Sequence, residues 1–514
     1  MPRLIFLLSL GLSLAHGAWA RDKWIYARSE HFEMFSCVPE KESRELLGSL
    51  EQFRATVLSI YSLPRLRDPR TTVIVFKSDG QFKPYKPLYQ GKPTDIAGDC
   101  LTWSDETIIA LAADNGFDVT NEVVFHEYTH SLLASGGETP PLWLNEGLAE
   151  LFSTFAINGD SYELGRAKPN HVGMLNRVPL MPLGELFAVN HQSPSYNEGV
   201  RQGIFYAESW GLVHFMLFGE DRATYMPMMR RFDVLLSERD HPTDRSFRET
   251  FGMSYADMET KLHHYLREGE YFFRSAKLPL GDLSSQIKFR PADDFERDVA
   301  LANLSLRIRG DKAAMYQITQ LSDSHPESPR PHEVLAAMAA KEGDSGGAIV
   351  HWRRAADLGS DNAYIYLRLA KERLDQIMTG LSLDYRMPDE PAAQLRGWLD
   401  RAVALSPNYL EAYEALADIE ALAEKPRFDV VNRVQSVVPR MKDKSRTLLA
   451  MAIIRWRRKD YPTARKITGL LIDSPQVSPA VRSLAKQLDA RAAEAAEPPA
   501  VSTTANTEEP QTAK

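Results

Sequence analysis

Apolar and polar positions alternate loosely over His31-Phe32-Glu33-Met34-Phe35-Ser36-Cys37-Val38, which is the two-residue period of a strand. From Pro39 to Ile60 the period lengthens. Leu46, Leu50, Phe53, Val57 and Ile60 share one face, and this predicts an amphipathic helix. Thr71 to Phe76 is β-branched and apolar, so a buried strand is expected. Residues 96–113 read as a hairpin turning at Trp103-Ser104-Asp105-Glu106 into Thr107-Ile108-Ile109-Ala110-Leu111. The span Ile108–Ala113 is expected at a sheet edge, where an extended peptide would pair with it. Helical periodicity takes over afterwards. Strands first and helices later predict an α+β plan rather than an alternating βαβ one.

A second change comes near residue 286. From about Asp293 to Glu494 the chain is helical and rich in Ala and Leu. Trp352-Arg-Arg-Ala355-Ala-Asp-Leu358 is echoed by Trp398-Leu-Asp-Arg-Ala402-Val-Ala-Leu405, 47 residues later. Pro407, Pro439 and Pro475 follow at intervals of 32 and 36. Ser406-Pro407-Asn408-Tyr409-Leu410-Glu411-Ala412-Tyr413 resembles the junction between tetratricopeptide repeats, whose period is about 34. The longer interval is then one repeat with an insertion inside Ile377–Gln394, where Tyr385-Arg-Met-Pro388-Asp-Glu-Pro391 breaks the pattern. The competing reading is an unrelated helical bundle. Such repeats form a solenoid with a groove for another protein. From Ala495 the composition is Ala, Glu, Pro, Thr and Ser without periodicity, a disordered tail.

The first twenty residues read as an address. Arg3, the apolar run Leu4–Ala15 and the small residues of Ala18-Trp19-Ala20 form a secretory signal peptide pattern. A membrane anchor is the competing reading, but the run is shorter than the roughly 20 residues a bilayer needs. The organisation expected is therefore a signal peptide at 1–20, a first domain at 21–285, a helical domain at 286–494 and a tail at 495–514. The protein would be exported, to the periplasm or beyond, with no stable membrane span. Composition adds exclusions. The chain has 514 residues, 44% hydrophobic and 25% charged, as in ordinary globular proteins. With 61 basic and 69 acidic residues the net charge is −8, and no strongly basic domain points to nucleic acid. Two cysteines are too few for a disulfide scaffold. Cys37 and Cys100 either pair or remain free thiols.

The chemistry concentrates in His126-Glu127-Tyr128-Thr129-His130, an H-E-x-x-H motif in helical context. Asp118 or Thr120 would cap the helix, and Ser135-Gly136-Gly137 with Pro140-Pro141 would end it. Imidazoles four residues apart lie on one helical face and can share one Zn²⁺. Glu127, rotated by about 100°, can face a bound water as general base without ligating the metal. With 13 histidines in the chain, the chance expectation for this motif is on the order of 0.02 matches, which favours the metal over two solvated histidines. A catalytic zinc site keeps three protein ligands. Glu146, in Trp143-Leu-Asn-Glu146-Gly-Leu-Ala-Glu150, would supply the third from a returning helix. Glu150, one turn on, either orients a ligating histidine from behind or is a solvated charge.

His126-Glu127-x-x-His130 followed by Asn145-Glu146-x-x-x-Glu150 resembles the gluzincin metallopeptidases, the thermolysin and aminopeptidase N group. The likeness covers residues 100–220, and the whole layout looks like the peptidase MA-like proteins of bacteria. The resemblance implies a thermolysin-like α+β domain ahead of the repeats. It implies one zinc ion held by His126, His130 and Glu146, with Glu127 as catalytic base. Tyr206-Ala-Glu-Ser-Trp-Gly resembles the helix carrying the oxyanion-stabilising tyrosine, which implies that role for Tyr206. Read without the resemblance, Tyr206, Trp210, Val213 and Leu217 are an apolar stripe. His171 and His191 are the other candidates for an oxyanion donor. The Gly-x-Met-Glu-Asn segment that holds a substrate's amino terminus in the aminopeptidases is absent. Gly98-Asp99-Cys100-Leu101-Thr102 stands near its place, so cleavage within chains is expected. The expected substrate is a peptide or protein, with a second protein recruited by the repeats. Two other functions compete: a repeat-based binding protein whose zinc domain no longer cleaves, and a zinc hydrolase acting on something other than peptides.

Overall fold

The computed structural model describes residues 23–60, 69–94, 96–114, 117–135, 140–220, 222–225, 227–229, 243–283, 286–378, 382–441 and 443–496. The expected signal peptide and the tail beyond residue 496 lie outside these. So do Gly136 and Gly137, expected to end the histidine helix, and the side chains of its expected caps, Asp118 and Thr120.

The N-terminal region is α+β with mixed sheets. Its main sheet holds β1 (Ile25–Arg28), β2 (Phe32–Ser36), β3 (Arg70–Phe76), β4 (Gly98–Thr102), β5 (Glu106–Ala112) and β6 (Lys288–Pro291). Their order is β6-β1-β2-β3-β5-β4. β2, β3 and β5 run parallel, and the outer pairings are antiparallel. Two findings correct the sequence reading. First, β2, the helix Glu40–Ile60 and β3 form a βαβ unit, because parallel neighbours need a crossover. Second, β5 is not an edge. The hairpin folds β4 outside it, so Gly98–Thr102 is the edge strand, and Ile108 to Ala112 is enclosed between β3 and β4.

Side chains alternate between the faces of a strand. On β3, Val73 and Val75 join Leu46, Leu50, Phe53 and Val57 of Glu40–Ile60 and Val124, Phe125, Tyr128 and Leu132 of the helix Phe117–Ala134. The rings of Phe53 and Phe125 stack with centroids 4.5 Å apart. Ile74 and Phe76 meet Leu304 of the helix Asp294–Arg309 on the opposite face. Burial on both faces explains why this strand reads as a continuous apolar run.

Beyond Phe117–Ala134 come the helix Leu142–Phe152, a three-stranded sheet (Ala156–Asn158, Ser161–Leu164, Arg274–Lys277) and the long helix Gly199–Phe218. From Asp294 onward the described chain is helical, apart from short turns and one bridge between Met387 and Ala423. Met387 lies in the break between Ala363–Met378 and Asp389–Leu405, inside the expected insertion, and Ala423 follows the helix Leu410–Leu422. The first helix of this region starts on the Asp293 side chain, which accepts from Phe295 N and Glu296 N. No described helix is long and apolar enough to cross a membrane. Cys37 and Cys100 are not joined in a disulfide.

Candidate metal centre

The core-facing residues of Phe117–Ala134 orient the motif. Val124, Phe125, Tyr128 and Leu132 are buried in the core, and this leaves the His126 and His130 rings half-buried on another face. Opposite them lies Leu142–Phe152, of which every residue from Trp143 to Phe152 is buried. This helix is pressed against Gly199–Phe218 at Gly147. A Cβ there would stand 2.5 Å from the Ser209 carbonyl oxygen and 2.6 Å from Val213 Cγ2, so only glycine allows the approach.

The three expected ligands meet. His126 Nε2 and His130 Nε2 are 3.1 Å apart, and Glu146 Oε2 lies 3.4 Å and 3.5 Å from them. Donors about 2.0–2.1 Å from one tetrahedral ion stand about 3.3 Å from each other. The triangle therefore has the size one ion requires. Glu146 is buried, and its Oε2 has no hydrogen-bond partner. A buried carboxylate oxygen aimed at two imidazole nitrogens is costly unless something neutralises it. The residues present fit a metal ion, and among the described residues this is the group found with that capacity.

Electrostatics couple the three side chains. Burial disfavours charge on Glu146, but the His126 and His130 rings beside it outweigh that and lower its pKa to about 2. Burial likewise opposes charge on His130, and the Glu146 carboxylate overrides it, raising the ring to about 9. Glu127 is pushed the other way. Burial raises its pKa, helped by Glu146 and Glu150 and opposed by His126 and His130. A carboxylate with raised proton affinity is better suited to take a proton from water.

Glu150 lies behind His126. Its Oε1 is 3.5 Å from His126 Nδ1, and its other oxygen is held by His171 Nε2 at 2.9 Å and by Lys168. Burial opposes its charge, but His171, His126 and Lys168 hold its pKa near 2. Glu150 is thus no solvated surface charge. His171 is placed on this rear side and not with Tyr206. The Tyr206 ring stacks over His126 at 6.3 Å, and burial with nearby Glu146 keeps its phenol protonated far above the ordinary range. His191 lies further out, edge-on to Tyr196 at 5.2 Å.

Three neighbours were not read from sequence. Tyr196 donates to Glu146 Oε1 at 3.3 Å, Lys168 grips Glu150, and Asp99 on β4 faces Glu127 electrostatically. Burial first, then Glu127, raises the Asp99 carboxyl to about 7. A cavity of about 1420 Å³ is lined by Lys168 but by neither histidine of the motif nor Glu146, so it is separate from this centre. No known family model matches the chain, and no curated protein is detectably similar to it.

Proposed function

We propose that the chain is an exported zinc metallopeptidase of the gluzincin type, with a thermolysin-like catalytic domain and a tetratricopeptide-repeat array that recruits substrate or partner. The observation that carries this is the triangle of His126 Nε2, His130 Nε2 and Glu146 Oε2, with the raised-affinity carboxylate of Glu127 next to His126 in the chain. Zinc, when bound, would polarise a scissile carbonyl and acidify water. Glu127 takes the proton from the attacking water and passes it to the leaving nitrogen. Tyr206, held protonated, donates to the oxyanion. The open edge of β4 aligns an extended peptide through its free backbone groups. The repeat reading is supported by spacing. Alternate helices of the C-terminal region begin at Asp294, Arg330, Ala363, Leu410, Ser445 and Pro479, intervals of 36, 33, 47, 35 and 34 residues. The export reading rests on residues 1–20.

The test uses the chain from residue 21. Mass spectrometry after exhaustive dialysis is expected to find one zinc per chain, and an unfolded protein substrate to yield fragments that a chelator suppresses. Glu127→Ala is expected to keep its zinc and lose turnover by at least about 100-fold. Glu146→Ala is expected to lose the zinc. Activity retained in Glu127→Ala would sink the mechanism. Tight zinc retained in Glu146→Ala would remove Glu146 from the ligand set. Zinc without chelator-sensitive cleavage would leave a metal-dependent scaffold.

A further inference from the structure

We infer that Tyr196 is a positioning residue with two partners: its hydroxyl fixes which oxygen of Glu146 faces the metal site, and its ring stacks on that of Tyr206. The inference rests on the reading of Glu146 as a ligand.

Tyr196 lies on the short helical turn Pro194–Asn197, immediately before the helix that carries Tyr206. Its hydroxyl donates to Glu146 Oε1 at 3.3 Å. The other oxygen, Oε2, faces the two imidazoles and has no hydrogen bond. A carboxylate with both oxygens free can rotate, or bind an ion through either or both. With Oε1 engaged by a phenol, Oε2 alone is presented. This is the work outer partners do for metal ligands generally.

The second partner is Tyr206. The rings of Tyr196 and Tyr206 stack at 6.1 Å with 17° between their planes. His126, Tyr206 and Tyr196 make a row of near-parallel rings, with 26° and 17° between neighbours, and Phe205 and His191 close it edge-on. The row holds Tyr206 over the metal side of His126.

Zinc affinity is measured by chelator competition on wild type, Tyr196→Phe and Tyr206→Phe, with circular dichroism to establish that each is folded. Tyr196→Phe is expected to bind zinc about 10- to 100-fold more weakly, and Tyr206→Phe to bind it as tightly as wild type does. Cobalt in place of zinc reports ligand geometry through its visible absorption, and its bands are expected to change in Tyr196→Phe alone. Unchanged affinity and bands in folded Tyr196→Phe would overturn the inference and leave the metal site standing. A wild-type protein that takes up neither metal would overturn the metal reading, and this inference with it. Should Tyr196→Phe not fold, the tyrosine ultraviolet spectrum of Tyr206→Phe on adding zinc decides. A perturbed phenol supports the inference, and a silent spectrum overturns it.

Discussion

Glu208 lies two residues beyond Tyr206 and shows what the crowding around this centre costs. Its carboxyl is buried, with one oxygen accepting from Met181 N at 2.7 Å and the other without a hydrogen-bond partner. Burial raises its pKa to about 8, against the pull of the Met181 N–H. An unfolded glutamate releases its proton near 4.3. The folded chain therefore holds a proton that the unfolded chain has lost, and stability declines as the pH rises from about 4.3 to 8. Glu208→Gln keeps the acceptor and removes the titration. Urea midpoints at pH 5 and pH 8 are expected to differ less in this variant than in wild type. Parallel losses in the two proteins would show that another group carries the slope. The same scale separates what was legible in the site from what was not. His126, Glu127 and His130 were readable because helical geometry alone fixes residues four apart. Tyr196 and Lys168 were not. Both come from short irregular segments whose position is set by the helices they lean on, and nothing in Ser193-Pro194-Ser195-Tyr196 carries a period.

Between elements, the decisive contact is the crossing of Leu142–Phe152 over Gly199–Phe218 at Gly147. In an open helix, alanine in place of glycine gains roughly 0.5–1 kcal/mol. Here the added carbon would sit 2.5 Å from a backbone carbonyl oxygen, which cannot rotate away. Overpacking of this kind costs about 1–3 kcal/mol, so the clash outweighs the propensity gain. Gly147→Ala is expected to lower stability by that amount in denaturant titration. It is also expected to weaken metal uptake, because Glu146 is its neighbour and moves with it. Unchanged stability would mean that the two helices yield at little cost. Elements were the best-read level: Glu40–Ile60, Arg70–Phe76 and the hairpin fall within a residue or two of where their patterns put them. Their neighbours were not read. A run of apolar residues fits an edge strand and an enclosed one alike, so the pattern of β5 does not separate it from the edge that β4 occupies, and the parallel pairing of β2 with β3 leaves no local trace.

At the scale of the whole molecule, the helical region is built into the sheet that positions the site. β6, at residues 288–291, pairs with β1, and Leu304 covers Ile74, Phe76 and Ile108. Charges are shared as well. Arg330 donates to both oxygens of Glu33 at 3.0 Å and 2.9 Å, Arg70 donates to Glu333 at 2.9 Å, and Arg307 holds Asp105. Glu33, Glu106 and Asp105 are buried on the sheet side. Removing the partner of a buried charge is strongly destabilising, by roughly 3–5 kcal/mol for a pair, and several would be lost together. Against a total stability on the order of 5–15 kcal/mol, that loss alone decides the outcome. A chain of residues 21–285 lacks β6, the cover over Ile74 and Phe76, and the arginines facing Glu33 and Glu106. It is expected to be insoluble or to melt far below the 21–514 protein, and to take up no zinc, although it contains every residue of the metal centre. Soluble yield, thermal unfolding and metal content measure this directly. A fragment that folds and binds zinc would make the helical region an attachment; a fragment that fails would make it part of what holds His126, His130 and Glu146 in place.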